Sequence, residues 1–379
     1  MIGHAAVRIL VLVTRHPRPR AKGDQQRAFS WIGQLAERHD VRVVSAAPRR
    51  SGDDALPDAV ELWSVSTRPL GRVCSAVRGV LQGAPLQVGW MMPRRAWRAA
   101  LRAAPEADVV LAITTRSLRG PIGRPLVVDH VDALSLNMAR RARGDETWLV
   151  RAFARWEAAR FRGWERRCAR WSVGAVATSE EDAAALPPRP RVDVLPVGLD
   201  DAEIAAATED RPIDVVLSGN MRYPPNRRAA VMLDREILPM LRARRPDVRV
   251  VVAGRAADAL GLRNVVTMSD VPDMFAVLRQ AKVAIAPLEF GTGSPYKVLE
   301  AAACGAALVS SSWAAARFGL PALIASDAAG YVDALCLLLD DPIRRADLVA
   351  ESQEAVRRHS THELARRLEL LLQSAAADG

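Results

Sequence analysis

Short apolar runs bounded by polar or turn-forming residues alternate with longer amphipathic stretches along most of this chain. "VRILVLVT" (residues 7–14) is continuously apolar, as a strand covered on both faces of a parallel sheet must be. "DQQRAFSWIGQLAERH" follows, with Phe29, Ile32 and Leu35 at helical spacing behind Asp24, a suitable N-cap. "VRVVSAA", "ADVVLAIT" (107–114), "RPLVVDH" (124–130) and "SVGAVATS" (172–179) continue the strand series. After "RVDVLPVGLD", the polar stretch "DAEIAAATEDRP" reads as a domain boundary. A second series then starts with "IDVVLSGN" (213–220) and a long helix over 224–245. Its later strands are "VRVVVAG" (248–254), "NVVTM", "KVAIAPLE" (282–289) and "AALVSSS" (306–312), and a last helix covers roughly 361–372.

Strands alternating with helices predict an α/β fold with parallel sheets. The expected architecture is two Rossmann-like domains facing a central cleft. The expected division is 1–200, 201–357, and a C-terminal helix in 358–379 packing back on the N-terminal domain. A length of 379 residues supports two cores rather than one.

Hydrophobic residues at 50% and charged residues at 25% describe a folded chain rather than a disordered one. No apolar run is long enough to cross a bilayer, and the first one is too short to read as a signal peptide. Cys74, Cys168, Cys304 and Cys336 are scattered without a CxxC pair, so they read as reduced, structural cysteines of a cytoplasmic protein. The net charge of +10 suggests an anionic partner: nucleic acid, a membrane surface or a phosphorylated ligand. The excess is almost all arginine, since lysine occurs only at Lys22, Lys282 and Lys297.

In open parallel sheets ligands bind beyond the carboxyl ends of strands, where helix N-termini present unpaired N–H groups to anions. Four loops there carry suggestive residues. "RHPRPRAKGDQQR" places Gly23 and Asp24 at a helix start, with Lys22 before them. "VVDHVD" ends a strand with Asp129, His130 and Asp132, and no second histidine is near enough in sequence to complete a metal cluster. His130 reads either as a structural residue or as a ligand contact, and its place at a strand end favours the contact. "SGNMRYPPN" offers Asn220 and Arg222, or is a rigid connection with Pro225 in the first helical turn.

The fourth, "PLEFGTGSPYKVLEAAACG" (287–305), has Gly291 and Gly293 for close backbone approach, Ser294 as N-cap and Pro295 at the first helical position. Lys297 and Glu300 then share one helical face. Either they form a structural ion pair, or Lys297 neutralises a nucleoside diphosphate while Glu300 accepts hydrogen bonds from ribose hydroxyls. There is no GxGxxG and no GxxxxGK[ST], which argues against nicotinamide dehydrogenases and P-loop NTPases.

"GTGSPYKVLEAAACGAALVSS" resembles the donor-binding signature of GT-B glycosyltransferases, specifically the retaining glycosyltransferase family 4 type. "GNMRYPPN", "VVVAG" and "LPVGLD" support the likeness. "AKGDQQRAFSWIGQLAERHDVRVV" and "VVDHVDALS" resemble a subgroup of sugar transferases associated with exopolysaccharide systems. The resemblance implies the GT-B fold and transfer of a sugar from a nucleotide-sugar, with retention, to an unidentified acceptor. Lys297 would meet the donor pyrophosphate, Glu300 the ribose, and Gly293 and Ser294 the phosphate or sugar. His130 would sit against the donor sugar, Gly23 and Asp24 would line the phosphate or acceptor loop, and backbone at Val271 would meet the base.

Two positions depart from the family pattern. Thr292 stands where many members carry a glutamate, and Arg222 is the only cation in its loop where many carry an Arg and a Lys. No DxD metal motif is present, and Lys297 with a helix dipole can stabilise the leaving diphosphate instead. No metal and no cofactor is expected, the nucleotide-sugar being a substrate.

A basic amphipathic helix over about 146–171 carries Trp148, Ala152, Trp156, Phe161 and Trp164 among arginines. It suits peripheral contact with an anionic membrane, or else a core-packed helix with a solvated arginine face. Nucleic acid is not an expected partner, because no recognisable binding module accompanies the charge. Two other readings stay open: an epimerase or phosphorylase of the same fold, and a non-catalytic basic protein that binds membrane or nucleic acid.

Overall fold

The computed structural model describes residues 6–17, 23–48, 56–143, 147–196, 198–199, 210–288, 295–316 and 318–378. The chain forms two units, Met1–Val197 with Leu364–Gly379, and Gly198–Glu363. The first crossing thus falls at 197/198 rather than after 200, and the C-terminal segment rejoins the first unit from Leu364 rather than from 358.

The first unit is built on seven strands: β1 (Arg8–Val13), β2 (Asp40–Ser45), β3 (Glu61–Ser64), β4 (Val109–Ile113), β5 (Leu126–Asp129), β6 (Gly174–Ala177) and β7 (Val192–Val194). They pair in the order β3-β2-β1-β4-β5-β6-β7, every neighbour parallel. Alternation of side chains across β1 explains its unbroken apolar run. Ile9, Val11 and Val13 enter one core, with Trp31 and Ile32 of α1 (Gly23–Ala36) and Leu364, Leu368 and Leu372 of the C-terminal helix Thr361–Ala377. Leu10 and Leu12 enter the opposite core, with Phe161, Trp164 and Ala100.

On that second face lie α2 (Pro69–Leu81), α3 (Leu86–Met91), α4 (Arg94–Ala103), α5 (Leu134–Arg141) and α6 (Trp148–Trp171). In α6 the buried stripe is Ala154, Glu157, Ala158, Phe161, Trp164, Glu165 and Cys168, whereas Trp148 and Trp156 are exposed. The expected tryptophan stripe therefore holds only in its C-terminal half. The N-terminal half turns its small and acidic residues inward because neighbouring helix starts need acceptors there. Glu157 Oε1 takes the Leu86 N–H at 2.7 Å at the start of α3, and Glu165 Oε1 takes the Ser135 N–H at 3.0 Å at the start of α5. Burial raises both carboxyl pKa values, against the backbone hydrogen bonds that lower them.

The second unit has six parallel strands, β8 (Ile213–Ser218), β9 (Val250–Gly254), β10 (Val266–Ser269), β11 (Ala281–Ala286), β12 (Ala307–Ser310) and β13 (Leu323–Ile324), in the order β10-β9-β8-β11-β12-β13. The long helix expected over 224–245 begins as α7 (Pro224–Met232), widens into a π-helical turn at Leu233–Ile237, and ends at Arg244. Pro239 has no N–H for the preceding turn, so the interruption falls just before it. In that turn buried Asp234 accepts the Asn264 N–H at 2.8 Å. Among the described residues no helix is long and apolar enough to cross a membrane.

Glu157 yields a test of the capping account. Glu157→Ala is expected to cost about 1–3 kcal/mol by leaving the Leu86 donor without its acceptor, and Glu157→Gln to cost less. Because folding raises the pKa, the carboxyl favours the fold most when protonated. The parent's stability relative to Glu157→Gln should therefore fall as pH rises above the ordinary value of 4.5. Urea unfolding across pH reads both effects.

Candidate functional site

In each sheet the chain order reverses at one place, between β1 and β4 in the first unit and between β8 and β11 in the second. Connections leave a parallel sheet in opposite directions at such a switch point, which opens a crevice at the strands' carboxyl ends.

In the second unit β8 ends at Ser218 and runs into Gly219, whose φ of 143° is open to glycine and strained for other residues. Gly254, at the end of β9, has φ 130°, and a Cβ on it would lie 2.1 Å from the Gly219 carbonyl oxygen. Two backbones therefore touch where a side chain would separate them. α8 (Tyr296–Ala303) follows β11, and its first turn sends Lys297 toward this contact. Lys297 Nζ donates to Asn226 Oδ1 at 2.6 Å, and Asn226 Nδ2 donates to the Asn220 carbonyl at 2.9 Å. A Cβ on Gly219 would stand 2.7 Å from the Lys297 ammonium nitrogen, so the ammonium rests directly over peptide backbone.

Burial pulls the Lys297 pKa down to about 8, and Glu300, one turn along the same face, opposes the fall. This ammonium is short of compensating charge, a state that a polyanion relieves. α8 starts one residue later than expected, with Pro295 as its cap residue and no side-chain cap bond, so Pro295 is not the first helical residue. Tyr296, beside Lys297, donates its hydroxyl to the Gly198 carbonyl at 3.0 Å.

Asn220 Oδ1 accepts the Arg222 N–H at 3.1 Å, which folds the loop, and the Arg222 side chain is exposed. Val271 follows β10 and lies half-buried against the apolar core. Gly293 and Ser294, with Gly291 and Thr292, lie outside the described residues. The residues that sequence reasoning did not select are Asn226, Gly219 and Gly254. Asn226 was within the "GNMRYPPN" motif, and its position in the first turn after two prolines was the available signal. The Gly219–Gly254 contact joins separate strands, and nothing local announces it.

In the first unit Asp129, fully buried at the end of β5, accepts from Arg27 Nε at 2.5 Å, Trp31 Nε1 at 2.7 Å and the Val131 N–H at 2.9 Å. Arg27 also donates to the Pro196 carbonyl at 3.0 Å, so one ion pair ties α1 and β5 to the chain beyond β7. The loops it braces are strained: Thr114 and Val131 both have φ 63°, and each such conformation costs about 1–3 kcal/mol.

His130, next to Asp129, is buried, and its Nδ1 has no hydrogen-bond partner among the described residues. Burial pushes its pKa down to about 4, despite the opposing pull of Asp129, so the ring is neutral at physiological pH. Asp24, in the first turn of α1 after Gly23, pairs with Arg15 at the end of β1. Arg116, just beyond β4, senses Asp24, Arg15 and Asp132, and burial lowers its pKa. Asp24 and Asp132 thus act on Arg116 electrostatically, with His130 two residues before Asp132 in the chain.

Residues 212–341 match the sequence family described as glycosyl transferases group 1. Among curated proteins no sequence matches this chain. Solved structures share its fold. HepE from Anabaena in complex with UDP and glucose superposes with a TM-score of 0.61 at 16% identity, covering 97% of this chain and 100% of that one. WaaG, a glycosyltransferase involved in lipopolysaccharide biosynthesis, gives 0.62 at 15% identity over 97% and 99% of the two chains. α,α-Trehalose 6-phosphate synthase from Burkholderia multivorans gives 0.58 at 14% identity over 98% of each. The fold is GT-B, with two Rossmann-like units.

Two outcomes test this geometry. Asp129→Ala is expected to cost about 3–5 kcal/mol, because it strands the buried Arg27 guanidinium, and Asp129→Leu with Arg27→Met should recover much of that loss. Lys297 predicts a pH effect of known sign. Its folded pKa lies below the unfolded value of 10.5, so the unfolded chain binds more protons between about 8 and 10.5 and stability rises with pH there. Lys297→Met should flatten that rise in denaturant titrations.

Proposed function

We propose that this protein is a nucleotide-sugar-dependent glycosyltransferase whose second unit holds the donor. The observation that carries the reading is the Lys297 ammonium, held by Asn226 over the Gly219 backbone at the switch point, with Glu300 one turn further on. The match of residues 212–341 to group 1 glycosyl transferases supports it, as does the shared fold of HepE, crystallised with UDP and glucose. By this reading Lys297 meets the donor diphosphate, Glu300 accepts from the ribose hydroxyls, and Asn226 sets the lysine's position. Asn220, Arg222, Gly293, Ser294 and backbone at Val271 complete the donor side.

In the reaction the bond between the anomeric carbon and the phosphate oxygen breaks, and its electron pair stays on the leaving diphosphate. The acceptor hydroxyl oxygen forms the new bond to the anomeric carbon, and its proton passes to the leaving diphosphate. Lys297 and the α8 N-terminus stabilise the charge that grows on the β-phosphate, in the place a metal ion would take. His130, neutral at working pH, hydrogen-bonds a hydroxyl of the donor sugar rather than supplying charge. Gly23 and Asp24 line the phosphate or acceptor loop. We assign the enzyme to the retaining family 4 type, acting in the cytoplasm on a small molecule, natural product, glycan or lipid-linked sugar. A lipid-linked acceptor would bring it to the inner membrane face as a peripheral protein.

Lys297→Ala and Glu300→Ala should each weaken nucleoside diphosphate binding about 10- to 100-fold, as loss of a charge-assisted hydrogen bond does. Calorimetry with UDP and other nucleoside diphosphates measures this, and unfolding midpoints confirm that the variants fold. If both variants bind like the parent, the donor site is misplaced. Release of nucleoside diphosphate that depends on an added acceptor separates transfer from epimerisation or phosphorolysis.

A further inference from the structure

Between residues 62 and 105 the chain carries seven arginines and no Asp, Glu or Lys. Arg72 is spent inside the fold, donating to the Trp90 and Ala46 carbonyls at 3.0 and 2.9 Å. The other six are exposed, and none forms an ion pair among the described residues. Arg78 and Arg94 come close enough to Arg119 for both to disfavour its charge, which burial also lowers. Arg119 itself is held on Ser75 Oγ and the Met92 carbonyl, each at 3.0 Å. Three arginines therefore act on one another here, and no carboxylate is among the groups that oppose the effect.

α2, in the middle of this segment, is amphipathic in the reverse of the usual sense. It buries Ser75, Ala76 and Gly79 and leaves Leu70, Val73, Val77 and Leu81 in water, at 74%, 45%, 54% and 82% exposure. Those four recur at helical spacing on one face. Its inner face is fixed by close backbone packing, since a Cβ on Gly89 of α3 would lie 2.6 Å from the Ala76 Cα. α6 adjoins the C-terminal end of α2. Arg160 donates to the Val80 carbonyl in the last turn of α2 and to the Ala84 carbonyl just beyond it, and its guanidinium lies 4.7 Å over the Trp156 ring. Toward the N-terminus of α6, Phe153, Leu149 and Trp148 are exposed in turn.

We propose that the outer face of α2 and the first two turns of α6 insert into an anionic phospholipid surface, with the surrounding arginines on its headgroup phosphates. The contact deepens the membrane association of the preceding reading and rests on it for location only, not for sugar transfer. Aliphatic and aromatic side chains ringed by arginine match an interface that is apolar inside and anionic outside. A second copy of this chain fits badly, because it would set two arginine-only segments against each other.

The test is co-sedimentation of the full chain with vesicles of phosphatidylcholine, alone or mixed with phosphatidylglycerol. The protein should partition onto the mixed vesicles and be released by salt. Arg94→Gln with Arg95→Gln should weaken partition about fivefold for each arginine removed. Leu70→Gln with Val77→Gln should weaken it about tenfold or more, whereas Ile343→Gln, equally exposed in the second unit, should not. UDP binding in the absence of vesicles should be the same in all these variants. Its loss from the parent would sink the donor site alone and leave the docking face standing. Equal binding to neutral and anionic vesicles, no binding to either, or a dimer in light scattering that Leu70→Gln with Val77→Gln dissociates would each overturn the proposal.

Discussion

A charge removed from water must be answered by an opposite charge or by several hydrogen bonds, and the first unit is organised around one such answer. Asp129 takes donors from Arg27, Trp31 and the Val131 backbone, while Arg27 reaches the Pro196 carbonyl. No apolar substitute would fix α1, the end of β5 and the segment after β7 with the same directionality. Because the pair spends its energy at the carboxyl end of the sheet, the neighbouring loops can hold Thr114 and Val131 in conformations that would otherwise relax. The adjacent His130 is carried into the interior with its ring neutral.

The second unit handles a buried charge differently. Among the described residues Lys297 meets a neutral amide oxygen from Asn226 and the opposing charge of Glu300 one turn along, and burial outweighs both. The deficit is located rather than diffuse. Gly219 and Gly254 bring two backbones together below it, and nothing larger than hydrogen fits at either position without displacing the ammonium or the chain. On the proposed function, an arrangement of this kind would favour a ligand carrying concentrated negative charge.

The strands were legible because each buried strand is a short apolar run, and parallel sheets demand that on both faces. Lys297 and Glu300 were legible for a similar reason: proline and glycine punctuation placed a helix start, and the spacing placed both side chains on one face. What stayed hidden depended on distant partners. Glu157 and Glu165 looked like ordinary charges of a basic helix, yet they serve the starts of α3 and α5 at sequence separations of 71 and 30. Trp148 and Trp156 looked like core residues, but a hydrophobic side chain is buried only if another element covers it. Asn226 was passed over for Asn220, because sequence shows that a loop is polar but not which of two amides turns toward a lysine. The π-helical turn before Pro239 was signalled by the proline alone, and its role in presenting Asp234 to the Asn264 backbone was not.

The two ionisable groups nearest the expected chemistry are both shifted toward neutrality, and that constrains how they can act. A histidine with a pKa near 4 cannot carry a useful positive charge at neutral pH, so any role His130 has on the proposed function is hydrogen bonding and shape. A lysine near 8 is mostly charged at neutral pH but holds its proton loosely, so on the proposed function a bound diphosphate would strengthen the ammonium. Such binding at mildly alkaline pH would take up a proton, and product release would return it to solvent. A lysine balanced by a full ion pair would hold the same charge with and without ligand, and would gain less from each charge that grows on the leaving group. On the proposed function, the lack of an ion-paired carboxylate on Lys297 among the described residues leaves the electrostatic response to be made by the substrate.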